Sequence, residues 1–141
     1  MGDFWHGNIV ISAHQQPVRL FVLDWELART GLPGSEIGLF CAAMEFLVRG
    51  HQVASRSASV LLQNFLHAYA RVSNRDANLA QDTLSHWGGY YIFWAPRDPP
   101  GDRDLVQELV REGVKLLVHS RDKDFQAKSP VKGLLPGLTT A

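Results

Sequence analysis

A mainly helical chain with one small β-hairpin near its start is what this sequence predicts, on three observations. Apolar residues recur at helical spacing in four separate stretches, and two short β-rich runs sit together ahead of the first. The single cysteine, Cys41, allows neither an internal disulfide nor a thiolate metal cluster, so a packed core has to hold the fold.

In chain order, Ile9, Val10 and Ile11 form the first β-rich run, and Leu20, Phe21, Val22 and Leu23, between Arg19 and Asp24, form the second. The polar linker from Ala13 to Val18 contains Pro17 and is too long for a two-residue turn, so a looser antiparallel hairpin is expected. Ile37, Phe40, Met44 and Leu47 then mark a first helix, with Ser35 placed to cap it and Gly50 to stop it. A second stripe runs through Leu62, Phe65, Tyr69 and Val72, and a third through Leu84, Trp87, Tyr91 and Trp94 before Pro96 ends it. The fourth holds Leu105, Leu109, Gly113 and Leu117. Gly88 and Gly89 each cost roughly 1 kcal/mol inside a helix relative to alanine, so the pair is expected where another backbone comes close. From Arg121 onward Lys, Pro, Gly and Thr replace the periodic pattern, and residues 121–141 are expected to be a loose tail. Residues 1–120 then form one unit, a loop-and-hairpin segment 1–26 followed by a helical part 34–120.

Composition narrows the function. The chain of 141 residues is 45% hydrophobic and 20% charged, as in a single folded domain rather than a disordered segment. Its 14 basic and 14 acidic residues cancel, which leaves no long-range field to collect nucleic acid or a membrane surface, so neither is expected as a partner. With no apolar run of membrane-spanning length and no secretory-signal pattern at the start, the expected location is cytoplasmic.

The first 26 residues are the informative segment. Gly2-Asp3-Phe4-Trp5-His6-Gly7-Asn8 precedes the two strands, and Asp24-Trp25-Glu26 follows them. An aspartate, an asparagine five residues later and a second aspartate after a hairpin occur in the order that kinase-type phosphoryl transfer needs. One carboxylate must accept a hydrogen bond from the attacking hydroxyl, while separate hard oxygen ligands hold magnesium against the triphosphate. Asp3 suits the first task, Asn8 and Asp24 the second, and the strands would fix the two loops against each other.

Those two motifs, Gly-Asp-Phe-Trp-His-Gly-Asn and Val-Leu-Asp-Trp-Glu-Leu-Ala, resemble the aminoglycoside phosphotransferase and choline kinase-like family of the protein-kinase-like superfamily, its fungal members most of all. The similarity continues through Gly31-Leu32-Pro33-Gly34-Ser35-Glu36-Ile37-Gly38, the aromatic helix ending Trp94-Ala95-Pro96-Arg97, and the last helix. The resemblance implies a catalytic Asp3, magnesium held by Asn8 and Asp24, and a Glu36 that supports the catalytic loop by accepting its backbone hydrogen bonds. It implies ATP and Mg²⁺ as cofactors and a small-molecule hydroxyl as acceptor.

Three departures accompany it. Met1 stands where the family has a histidine, and Glu36 where it has an aspartate. The nucleotide-covering N-terminal lobe has no counterpart in the sequence, nor is there a glycine-rich phosphate loop downstream. The expected fold is therefore the C-terminal lobe of such an enzyme, with the ATP clamp incomplete in this polypeptide. A catalytically silent truncated lobe or an interaction module is the alternative, with self-association through the uncovered face around Phe4, Trp5 and Trp25. A start upstream of Met1 is a third reading.

Other residues carry less. Glu26 could face a cationic substrate or simply be solvated. The aromatic cluster Trp87, Tyr90, Tyr91, Phe93 and Trp94 is expected to be core, and Cys41 an inert buried thiol. His6, His14, His51, His67, His86 and His119 show no metal-binding spacing.

Overall fold

The computed structural model describes residues 1–14, 16–73, 78–97 and 102–135. A single 3-10 turn at His6–Asn8 leads into strand β1 (Ile9–Ser12), which pairs antiparallel with β2 (Arg19–Val22) so that Ile9 lies opposite Val22 and Ser12 opposite Arg19. Helices α1 (Pro33–Gly50), α2 (Gln52–Val72), α3 (Leu79–Trp94), α4 (Arg103–His119) and α5 (Lys123–Lys128) follow, with a closing 3-10 turn at Pro130–Leu134. The class is the expected one, mainly helical with a two-stranded hairpin. No helix among the described residues is long and apolar enough to cross a membrane.

Helix α1 is the hub, packed against both α2 and α3, while α3 also carries α4 on another face. Its sequence explains the position. Ile37, Phe40, Cys41, Ala42, Ala43 and Met44 are all buried, so the helix is apolar around most of its girth in the middle, as a central helix must be. Its start differs from expectation: Leu32 is the N-cap and Pro33 opens the helix, while the Ser35 hydroxyl donates to the Leu32 carbonyl at 2.7 Å. Gly50 lies within α1, and only His51 separates it from α2.

Glycines set the closest approaches. A Cβ on Gly38 would stand 2.6 Å from the Thr83 carbonyl oxygen, and one on Gly88 2.5 Å from that of Gly113. The expectation for the Gly88-Gly89 pair therefore holds at Gly88, where α4 crosses. It fails at Gly89, which faces open space.

Two expectations about packing are corrected. Residues 121–135 are not a loose tail. Asp122 caps α5 by accepting the backbone N–H groups of Asp124 and Phe125 at 2.9 and 3.2 Å, and the buried Gln126 amide donates to the Ser120 carbonyl at 2.5 Å. Val131 and Leu134 then insert fully into the core beside α2 and α3. Four apolar side chains in a stretch without helical period anchor a segment whose Lys, Pro and Gly content reads as solvent-facing; residues 136–141 of the expected tail lie outside the described ones. Leu134→Ala is expected to lower stability by about 2–5 kcal/mol, read as a fall in the denaturation midpoint at unchanged slope.

The second correction concerns the apolar face near the start. Phe4 is not part of an uncovered surface: its ring stacks on Phe40 at 5.1 Å and touches Phe65 at 6.1 Å. Trp25 is exposed as expected, joined by Ile11, Leu20 and Phe21 of the hairpin.

Candidate active site

The loop that carries Asp3 is closed by its own backbone and by Asn8. The Asn8 backbone N–H donates to the Trp5 carbonyl at 3.1 Å, closing the 3-10 turn. Its side-chain Nδ2 donates to the Asp3 carbonyl oxygen at 3.0 Å and to the Asp3 carboxylate Oδ2 at 3.1 Å. Both Nδ2 hydrogens are thereby directed at Asp3, which leaves Oδ1 as the remaining acceptor of the Asn8 side chain. Phe4, between them in sequence, pins the loop to α1 through its stack on Phe40.

Asp24 is delivered by the hairpin. The Leu23 N–H donates to the Asn8 carbonyl at 2.8 Å, continuing the ladder one step past the Ile9–Val22 pair, so Asp24 leaves β2 directly beside Asn8. There the chain turns sharply: Asp24 has φ of 61°, a left-handed conformation that aspartate and asparagine tolerate better than most residues. The following loop folds back onto the start of the chain. Gly2, at φ 98°, packs against the Leu27 carbonyl so closely that a Cβ there would collide with it. Glycine is required at this position on both counts.

Glu36, in the first turn of α1, anchors the loop base. Its Oε1 accepts the Gly2 N–H at 2.5 Å and lies 3.3 Å from the Met1 amino group, while Oε2 is buried without a hydrogen-bond partner. The longer side chain of glutamate still reaches the loop backbone. Glu26 and Trp25 are exposed, and the Trp25 indole N–H donates to the Val22 carbonyl at 2.8 Å. Thus Asp3, Asn8 and Glu36 are linked through the loop by hydrogen bonds, Asp24 stands beside Asn8 through the strand ladder, and Glu26 makes no tie to any of them.

The donor chemistry of Asn8 and Asp24 fits magnesium. Asn8 Oδ1 and the exposed Asp24 carboxylate are hard oxygen ligands, and Mg²⁺ commonly takes only one or two protein ligands, with phosphate oxygens and water completing its shell. Among the described residues no group of three or more His, Cys, Asp or Glu forms a denser cluster.

Histidine and cysteine play no part in that set. Burial lowers the His6 pKa below its ordinary value, and its Nδ1 is buried without a partner. Cys41 is fully buried, and burial, reinforced by the Glu45 carboxylate, raises its thiol pKa far above the ordinary range. It is inert, as expected.

Cavities adjoin the core among the described residues. One, about 560 Å³, lies among α1, α2, α3, α4 and the closing turn, and none of its lining residues belongs to the loops bearing Asp3, Asn8 or Asp24. Another, about 510 Å³, runs from Gly2 and Glu36 along α3 past His86, Gly89, Tyr90, Phe93 and Trp94. Here the expected aromatic cluster divides: Trp87 and Tyr91 are core, whereas Phe93 and Trp94 are about half exposed. The helical period separates Phe93 from Trp87 and Tyr91, but it places Trp94, seven residues after Trp87, on their stripe, and the exposure of Trp94 at the end of α3 departs from that expectation.

No protein-family model matches the chain. It is 29% identical over 127 residues to a 4-hydroxytryptamine kinase of Psilocybe cyanescens, covering 88% of this chain and 34% of that protein. To a 4-hydroxytryptamine kinase of Psilocybe cubensis it is 26% identical over 118 residues, covering 81% of this chain and 32% of that protein. The chain spans about a third of the length of these curated relatives. The likeness is thus to small-molecule kinases, over most of this chain and a minor part of theirs.

Proposed function

We propose that this chain is a phosphotransferase lobe of the aminoglycoside phosphotransferase-like type, which takes part in magnesium-dependent transfer of the ATP γ-phosphoryl group to a hydroxyl of a small molecule. The observation that carries the reading is Asn8, whose side chain holds the Asp3 carboxylate through Nδ2 and keeps Oδ1 as its remaining acceptor, and whose carbonyl takes the Leu23 N–H just ahead of Asp24. One residue thereby joins the proton-accepting group to the cation-binding pair. The names of the relatives support a hydroxylated aromatic amine as the acceptor class.

In this reading Asp3 orients the acceptor hydroxyl and receives its proton as that oxygen bonds to the γ-phosphorus and the bond from the γ-phosphorus to the bridging oxygen breaks, that oxygen leaving with ADP. Asn8 keeps the Asp3 carboxylate in place, and Glu36 holds the loop backbone through Gly2. Bound magnesium would neutralise charge developing on the phosphates, with Asn8 and Asp24 as its protein ligands. The exposed apolar hairpin, with Ile11 at 58% and Leu20 at 61% exposure, favours a second reading in which the lobe acts as an interaction module.

Calorimetric titration of the chain with ATP, with and without magnesium, separates the two. Magnesium-dependent binding in the micromolar to low-millimolar range is expected of a phosphotransferase lobe. Absence of heat from a chain shown to be folded by circular dichroism overturns the first reading in favour of the second.

A further inference from the structure

We propose that the β-hairpin is a self-association surface: β2 pairs edge to edge with β2 of a second copy of this chain, antiparallel and centred on Leu20, so that two hairpins make one four-stranded sheet. The proposal stands apart from the phosphotransferase reading, since Asp3, Asn8 and Asp24 all lie outside β2.

The hairpin is incomplete as a single copy. Two short strands alone are marginally stable in water, and an antiparallel pair that covers one face normally alternates apolar with polar residues. Here both faces are apolar and open. Ile11 pairs with Leu20 on one face and Val10 with Phe21 on the other, and all four are between 46% and 61% exposed. Val18 and Leu23, which flank β2, and Trp25 just beyond it are about half exposed too. Together these side chains present roughly 700 Å² of apolar surface, close to the roughly 800 Å² that one partner contributes to a standard interface.

The unpaired backbone groups select the edge. The Leu23 N–H donates to the Asn8 carbonyl, which makes those two a hydrogen-bonded pair. By the alternation of an antiparallel ladder, the Val10–Phe21 and Ser12–Arg19 pairs also bond to each other, and the backbone groups of Ile9, Ile11, Leu20 and Val22 point outward. On the β1 edge the Ile9 N–H is already taken by the His6 carbonyl. On the β2 edge the Val22 carbonyl accepts the Trp25 indole N–H, but Leu20 keeps both its N–H and its carbonyl without a partner among the described residues.

A two-fold axis beside Leu20 satisfies that edge. The Leu20 N–H of each copy donates to the Leu20 carbonyl of the other, and the Val22 N–H to the Val18 carbonyl. Arg19, the one charged residue of β2, then lies opposite Phe21 of the second copy, so a guanidinium meets an aromatic ring and no like charge faces it. With 14 basic and 14 acidic residues, identical copies meet without net repulsion.

Sedimentation equilibrium of the 141-residue chain tests this, with a closed dimer of dissociation constant on the order of micromolar expected. Leu20→Lys sets two ammonium groups against each other at the axis and is expected to weaken the dimer at least about ten-fold. Leu20→Pro deletes an N–H that has no partner within one copy, and is expected to give a monomer that remains folded by circular dichroism. Val10→Lys puts the same charge on β1, away from the paired edge, and is expected to leave the dimer within about three-fold. A chain that stays monomeric up to about 100 μM, a dimer indifferent to both Leu20 variants, equal loss in Val10→Lys, or open-ended growth in place of a dimer overturns the proposal.

Discussion

Asp24→Ala is expected to abolish magnesium-dependent nucleotide binding, while Glu26→Ala, two residues away, leaves it within about two-fold. The contrast follows from how the hairpin delivers the two carboxylates. Asp24 comes directly after the Leu23–Asn8 hydrogen bond, whereas Glu26 lies exposed in the returning loop without a tie to Asp3, Asn8 or Glu36. Loss of groups that merely orient metal ligands typically costs 10–100-fold in affinity, so loss of one of two direct ligands should exceed about 100-fold. Alanine also strains the backbone at φ 61° by about 1–2 kcal/mol, which could unfold the loop and mimic a ligand defect. Asp24→Asn removes that ambiguity, because asparagine tolerates the left-handed conformation but lacks the charge. Titration of both variants with ATP and magnesium should show loss in each. Retained binding in Asp24→Asn with loss in Asp24→Ala would assign Asp24 a backbone role, and equal losses for Asp24→Ala and Glu26→Ala would overturn the division of roles.

The site was legible in the sequence to the extent that it is local. Asp3 and Asn8 are five residues apart, and the strand pattern of Ile9–Ile11 and Leu20–Leu23 is enough to bring residue 24 back beside residue 8, as the ladder confirms. Contacts at long separation were not legible from period alone. Glu36 meeting Gly2 depends on the reversal of the chain after Asp24, which a left-handed residue makes and no spacing rule announces. The closing segment departs from expectation for a related reason: Val131 and Leu134 are too few and too close together to show a period, yet a groove beside α2 and α3 needs only two apolar side chains to seat a turn. Gly34 and Gly38 are four apart on α1, the spacing that puts two small residues on one helix face, and both meet α3 at backbone distance.

Gly88→Val and Gly89→Ala, adjacent substitutions in one helix, are expected to change stability in opposite directions. At Gly88 a Cβ would stand 2.5 Å from the Gly113 carbonyl oxygen and 3.0 Å from the Leu117 amide nitrogen, both backbone atoms that cannot swing aside. The reverse contact is as tight, since a Cβ on Gly113 would lie 2.7 Å from the Gly88 carbonyl oxygen. Relief therefore requires α3 and α4 to separate as bodies, which opens gaps around Leu109 and Leu116 on α4 and Tyr91 on α3, all buried. Overpacking costs about 1–3 kcal/mol where side chains can yield, and a crossing of two backbones lies at or above the upper end. Against a total stability of about 5–15 kcal/mol, Gly88→Val should either unfold the chain or leave a markedly lowered midpoint. At Gly89 the methyl group meets nothing within 4 Å, so only the helix propensity changes, and Gly89→Ala should gain about 0.5–1 kcal/mol. Denaturant melts of the two variants read both signs at once. A destabilised Gly89→Ala, or a Gly88→Val as stable as the parent, would show that α3 sits in a different rotation about its own axis, with Gly89 rather than Gly88 turned toward α4.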